Sequence, residues 1–115
     1  MSGSYNETST SPDGHAVTTS WSVNPCAQQP NGGCVWVKAG AGGNPAYLVN
    51  GQWVLDGTGD IICADGSYHQ MGTSYHMTWD PDSLEGTNVI TYTGAECGHP
   101  PGYTQTNKIT IKSAS

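Results

Sequence analysis

The sequence predicts an all-β domain: an antiparallel meander of eight or nine short strands, forming a small barrel or sandwich and stapled by two disulfides. Three observations carry this. From Ala16 to Val23 the chain alternates, with Val17, Thr19, Trp21 and Val23 on one face and Ala16, Thr18, Ser20 and Ser22 on the other, the period of a half-buried strand. The 16 glycines and 7 prolines recur at short intervals, which favours short elements joined by tight turns over long helices. Four cysteines form an even set without a CxxC pair, which points to disulfides rather than to zinc or a redox motif.

The elements follow in order. Tyr5 to Thr10 is a first strand, closed by Pro12-Asp13-Gly14. The alternating run ends at Pro30-Asn31-Gly32-Gly33, and Cys34 to Lys38 then sets Val35 and Val37 against Trp36 on the other face. Ala46 to Val49 and Gln52 to Asp56 flank Asn50-Gly51, a pair suited to a type I′ hairpin because both central residues need positive φ. Asp56-Gly57 reads as a turn before a strand from Ile61 to Ala64, and Asp65-Gly66 as the next turn. Ser74 to Trp79 and Asn88 to Thr93 are separated by Asp80 to Gly86, where Asp82 and Glu85 have capping-box spacing and Gly86 can end a single helical turn. Pro100-Pro101-Gly102 precedes Lys108 to Lys112, in which Ile109 and Ile111 share a face. Residues 1–115 suit one domain with one core, and the Ser/Thr-rich start and Ser113-Ala114-Ser115 tail are expected to fray.

Of the three connectivities that four cysteines allow, Cys26 with Cys34 and Cys63 with Cys97 is preferred, the first clamping a loop between two strands. Disulfides belong to oxidising compartments, so the expected address is extracytoplasmic, in the cell envelope or secreted, and Met1 is read as a start codon before a mature fragment.

Charge excludes some partners. The only cations are Lys38, Lys108 and Lys112, and the net charge is −6, so there is no basic footprint for nucleic acid and none for anionic lipid. No apolar run reaches the roughly 20 residues of a membrane span. GxSxG, HExxH, Walker and dinucleotide motifs do not occur, and His15, His69, His76 and His99 sit in segments of different character. No catalytic residue and no cofactor is assigned, and the chain reads as non-enzymatic.

Two groups of side chains are candidate metal ligands. Asp56, Asp60 and Asp65 offer hard oxygen donors for calcium, without EF-hand spacing; acids facing water are preferred. His69 and His76, with Met71 and Met77, combine imidazole and thioether as copper accepts. Strand parity sends the adjacent His76 and Met77 to opposite faces, so core Met with exposed His is preferred and no metal is assigned. Among the aromatic residues Trp21 and Trp53 read as core. Trp36, Tyr68 and Tyr75 are candidate ligand-binding residues, and sugars stacking on such rings make a secreted carbohydrate-binding module the competing class.

The succession Gly3-Ser4-Tyr5, Trp21-Ser22-Val23 leading to Cys26, Gly33-Cys34-Val35, Asn50-Gly51-Gln52-Trp53 and Cys63-Ala64-Asp65-Gly66 resembles β-rich extracytoplasmic domains of mycobacterial envelope proteins. These include secreted or lipid-anchored proteins of unknown function and the ectodomains of membrane serine/threonine kinases. The resemblance implies a ligand-binding or sensor domain whose partner is a small molecule or cell-wall component, with any kinase domain elsewhere in a longer chain.

Overall fold

A computed structural model describes residues 1–27, 33–40, 42–63, 65–94, 96–98 and 100–114. Its strands are β1 (Gly3–Thr10), β2 (Ala16–Pro25), β3 (Cys34–Ala39), β4 (Gly42–Val49), β5 (Gln52–Ile62), β6 (Tyr68–Trp79), β7 (Glu85–Tyr92) and β8 (Thr104–Ser113). Each pairs antiparallel with the next, and β8 returns to β1, so the sheet closes into an eight-stranded up-and-down barrel. Closure removes both sheet edges and resolves the choice between barrel and sandwich. Among the described residues no helix is long and apolar enough to cross a membrane.

The turns form by the chemistry the sequence carries. Asn50 and Gly51 have φ of 51° and 81° and join Val49 to its partner Gln52 as a two-residue hairpin. Asp13 accepts from the His15 amide (3.0 Å), and Asp65 accepts from the Ser67 amide (2.9 Å), each carboxylate mimicking a turn of backbone. Tyr103 N donates to Pro100 O (3.0 Å) across Pro101-Gly102. The Pro30-Asn31-Gly32 part of the β2–β3 connection lies outside the described residues.

Two expectations are corrected. Gln52 to Asp56 and Ile61 to Ala64 are not separate strands: β5 runs without a turn from Gln52 to Ile62, and Ala64 lies outside the described residues. Gly57 faces inward, and a Cβ there would stand 2.6 Å from the Tyr75 ring, so this glycine makes room for an aromatic neighbour rather than a turn. The turn expected at Asp80 to Gly86 is shifted: Leu84 N donates to Asp80 O (2.9 Å), closing a single turn that ends at Leu84 (φ 57°) rather than at Gly86 and is capped by Asp80 rather than Asp82. Asp80 itself accepts from the amides of Asp82 (2.8 Å) and Ser83 (2.9 Å), while Glu85 has already entered β7.

Inward residues divide the barrel lengthwise. Trp21, Val23, Val35, Val37, Ala46, Trp53, Leu55, Met77, Trp79, Ile109 and Ile111 form the core. Trp79 is fully buried, its ring centroid lies 5.4 Å from that of Trp21, and its Nε1 donates to Met1 Sδ (3.2 Å). With Leu84 also packed on this cluster, one end of the barrel is closed. Toward the other end the same inward positions turn polar: Glu7 and Ser9 on β1, Thr19 on β2, Asn44 on β4, Asn88 on β7 and Asn107 on β8.

Both disulfides have the preferred connectivity. Cys26–Cys34 joins β2 to β3 at the closed end, with Cα atoms 5.4 Å apart. Cys63–Cys97 ties the β5–β6 connection to the β7–β8 connection at the open end, across 34 positions of sequence. No cysteine is free, the state that oxidising compartments maintain.

Candidate functional site

The polar end of the lumen opens into a cavity of about 580 Å³. Its floor is apolar, made by Trp21, Val37, Leu55 and Met77 at the inward positions of β2, β3, β5 and β6. Alternation sets these side chains: each lies two residues from another inward position on its strand, so the register that buries the core also aims the walls above it.

The walls carry hydrogen-bonding groups, some of them satisfied. Asn44 Nδ2 donates to the Tyr75 hydroxyl (3.2 Å), which fixes the ring lying over Gly57. Gln105 Nε2 donates to Asn107 Oδ1 (2.8 Å), and Asn107 Nδ2 donates to Ser9 Oγ (3.2 Å), linking β8 to β1. Burial raises the Tyr75 phenol, partly offset by the bond from Asn44, so the group stays neutral.

Glu7 and Asn88 differ from these. Glu7 is 5% exposed, and neither its Oε1 nor Asn88 Oδ1, both buried, has a hydrogen-bond partner. Buried polar atoms are almost always paired, and an orphaned one costs about 1–3 kcal/mol. Both residues line the cavity, with the two orphaned oxygens buried in its wall. Desolvation pushes the Glu7 carboxyl up from 4.5 to about 7.

This shift has a consequence for stability. The folded pKa lies above the ordinary one, so between 4.5 and about 7 the native protein holds more protons on Glu7 than the unfolded chain does. The contribution is fully present below that window and is lost as pH rises through it, to a limit of about 3 kcal/mol at ~1.4 kcal/mol per unit. The melting temperature is expected to fall between about pH 4.5 and about pH 7, and Glu7→Gln is expected to flatten that fall. A wild-type profile unchanged by the substitution would contradict it. Below that range the sign reverses. Asp13, Asp60, Asp65 and Asp80 are held below the usual carboxylate range, chiefly by hydrogen bonds, and their support is lost as pH drops.

The structure separates the three aromatic candidates. Tyr75 faces the lumen. Tyr68 is exposed on β6, where its hydroxyl donates to Asp60. Trp36 is 44% exposed on the outer face of β3, as the alternation with Val35 and Val37 requires, and its indole lies over Gly43, where a Cβ would meet Nε1 at 2.5 Å. With Tyr47 (46% exposed), Pro25 and Pro45 it borders a second cavity of about 530 Å³ outside the barrel.

The metal candidates do not converge. Asp56 bonds His76 Nδ1 (2.5 Å), Asp60 accepts from Tyr68 and the Met71 amide, and Asp65 accepts from Ser67. Among the described residues no group of three or more His, Cys, Asp or Glu can hold a metal ion. Met77 is core and His76 exposed, as parity requires, but Met71 is corrected: it is exposed at φ 52°, beside the bulge between Gly59 and Ile61. His69 is half-buried, and His99 lies outside the described residues. Compared with protein-family models, with curated proteins and with solved structures, the chain gives no match.

Proposed function

We propose that this domain binds a small molecule in the open end of its barrel, as a non-catalytic ligand-binding or sensor domain of a bacterial cell-envelope protein outside the cytoplasmic membrane. One observation carries the reading: Glu7 and Asn88, each with a buried side-chain oxygen that lacks a partner, line a cavity with an apolar floor. A few convergent polar groups over an apolar surface are the ordinary composition of a ligand pocket. The titratable groups among the cavity's lining residues are one carboxyl and one phenol, with no second acid or imidazole, which supports binding over acid–base catalysis. The two disulfides support the extracytoplasmic address, and the resemblance to mycobacterial envelope domains and kinase ectodomains supports the sensor role.

The test is a thermal-shift panel of amines, amino acids and monosaccharides against wild type and Thr19→Trp, whose indole fills the lumen from β2. A ligand at about 100 times its Kd adds roughly 2.7 kcal/mol, a shift of several degrees. Lumen binders are expected to stabilise wild type and not the filled variant; ligands that stabilise both equally would refute a lumen site. The exposed Trp36–Tyr47 shelf favours a second reading, a carbohydrate-binding face. On that reading monosaccharide or oligosaccharide binding is abolished by Trp36→Ala and untouched by Thr19→Trp.

A further inference from the structure

We propose that the lumen site takes an organic cation, a primary ammonium or amidinium group on an apolar body, with the cationic head at the Glu7 carboxylate and the Asn88 amide and the body on the Trp21, Val37, Leu55 and Met77 floor. The inference rests on the lumen reading above and gives that site its ligand class.

With Glu7 ionised both orphaned atoms are acceptors, so the missing partner is a donor. An ionised carboxylate in a buried site is stabilised by a paired cation, and the protein supplies none. On β1 the other inward residues are Tyr5 and Ser9. β2 carries no charged residue. On β8, Lys108 and Lys112 point outward and are exposed, while the inward positions beside Glu7 and Ser9 are Ile111 and Ile109. Around the rest of the barrel, Lys38 on β3, Asp56 and Asp60 on β5, His76 on β6 and Glu85 on β7 are exposed on the outer face, and Tyr75 is the other titratable group lining the cavity. Among the described residues lining the cavity no charged group other than Glu7 is present, and His69, half-buried on β6, is not one of them. The net charge of −6 further favours approach of a cation over an anion.

Asn88 gives the site its geometry. Its neighbour across the β7–β8 ladder is Asn107, whose oxygen and nitrogen are both engaged, with Gln105 and Ser9. That network fixes the wall and leaves the Asn88 oxygen free to accept from a ligand N–H. A head group with several donors can satisfy both oxygens at once; an alcohol, with one O–H, satisfies one. In the ligand-free protein desolvation keeps Glu7 largely protonated below its raised pKa, so a cation must displace that proton. Affinity therefore falls as pH falls, in proportion to the ionised fraction.

The test is isothermal titration calorimetry with phenethylamine, benzamidine and the neutral 2-phenylethanol, on wild type, Glu7→Gln and Thr19→Trp. Glu7→Gln removes the charge while keeping the shape, and it relieves a buried carboxylate, so the variant is expected to fold. For wild type, amine or amidine affinity is expected to fall about tenfold from pH 8 to pH 6, while the alcohol's stays constant. In Glu7→Gln the cation's affinity at pH 8 is expected to fall by about tenfold or more and to lose its pH dependence. No binding of either cation to wild type at pH 8 would overturn the proposal. So would equal affinity of cation and alcohol at pH 8, or unchanged cation binding in Glu7→Gln. Should the alcohol bind wild type but not Thr19→Trp, with the cations showing no advantage, the cation proposal falls and the lumen site stands. Binding that survives Thr19→Trp overturns both.

Discussion

Replacing Cys63 and Cys97 together by alanine is expected to lower stability by about 4 kcal/mol and to loosen the mouth of the barrel. The bridge closes a loop of 34 positions, and the chain-entropy relation gives roughly 3.8 kcal/mol for that length against roughly 2.5 for the 8 positions of Cys26–Cys34. Its position adds a second effect. Cys63–Cys97 ties together two of the connections that surround the open end, where the lumen cavity lies, whereas Cys26–Cys34 lies at the end plugged by Met1 and Leu84. Urea unfolding of the two double-alanine variants measures the difference. Loss of Cys63–Cys97 is expected to cost more, and to weaken any lumen ligand as well; loss of Cys26–Cys34 is expected to cost less and to leave lumen affinity unchanged. The reverse order would contradict the assignment of the two ends.

Gly86→Ala is expected to lower stability by about 3 kcal/mol or more, among the largest effects of any single substitution. Gly86 faces Trp79 across the β6–β7 ladder, and a Cβ on it would stand 1.8 Å from the Thr78 carbonyl oxygen and 2.6 Å from the Trp79 Cα. These are backbone atoms, so no side chain can swing aside; the strands must part where Trp79 is fully buried. A fall in melting temperature of roughly 10 °C or more is expected, with near-UV circular dichroism reporting the disturbed Trp21–Trp79 pair. Gly51→Ala, at φ 81° in an exposed turn, is the milder comparison, with a cost of about 1 kcal/mol. Equal effects at the two sites would refute the close approach at Gly86.

These two glycines also show what sequence reading can and cannot see. Gly51 follows Asn50 between two alternating runs, so local turn chemistry identifies it. The spacing of Asp82 and Glu85 marks Gly86 as the end of a helical turn, yet its reason lies in a strand seven residues upstream, across the ladder. Gly57 misled in the same way. An Asp-Gly pair signals a turn, but the inward Tyr75 on β6 is what requires a residue without a Cβ. Alternation in β2 and β8, by contrast, identified the inner faces directly, and the outward position of Trp36 followed from Val35 and Val37.

The site was less legible. Tyr75 was singled out as an aromatic ring, together with Trp36 and Tyr68, and only the closed barrel separates the lumen from the outer wall. Glu7 was missed, although a signal existed: it sits two residues from Tyr5 and two from Ser9, in the inward parity of β1, where an acid is out of place. Asn88 carries a fainter version of that signal between Gly86 and Ile90. Parity alone does not reveal that the inward positions at one end are polar in strand after strand. That requires the register of all eight strands at once.

The most direct test of the lumen site is a map of backbone amide chemical shifts in a uniformly labelled sample as phenethylamine is added at pH 8. The largest changes are expected at inward positions of the open end, Glu7, Ser9, Thr19, Asn44 and Asn88, with the closed end around Val23 and Trp53 unmoved. Changes centred on Trp36 and Tyr47, or spread without regard to strand parity, would contradict a ligand site inside the barrel.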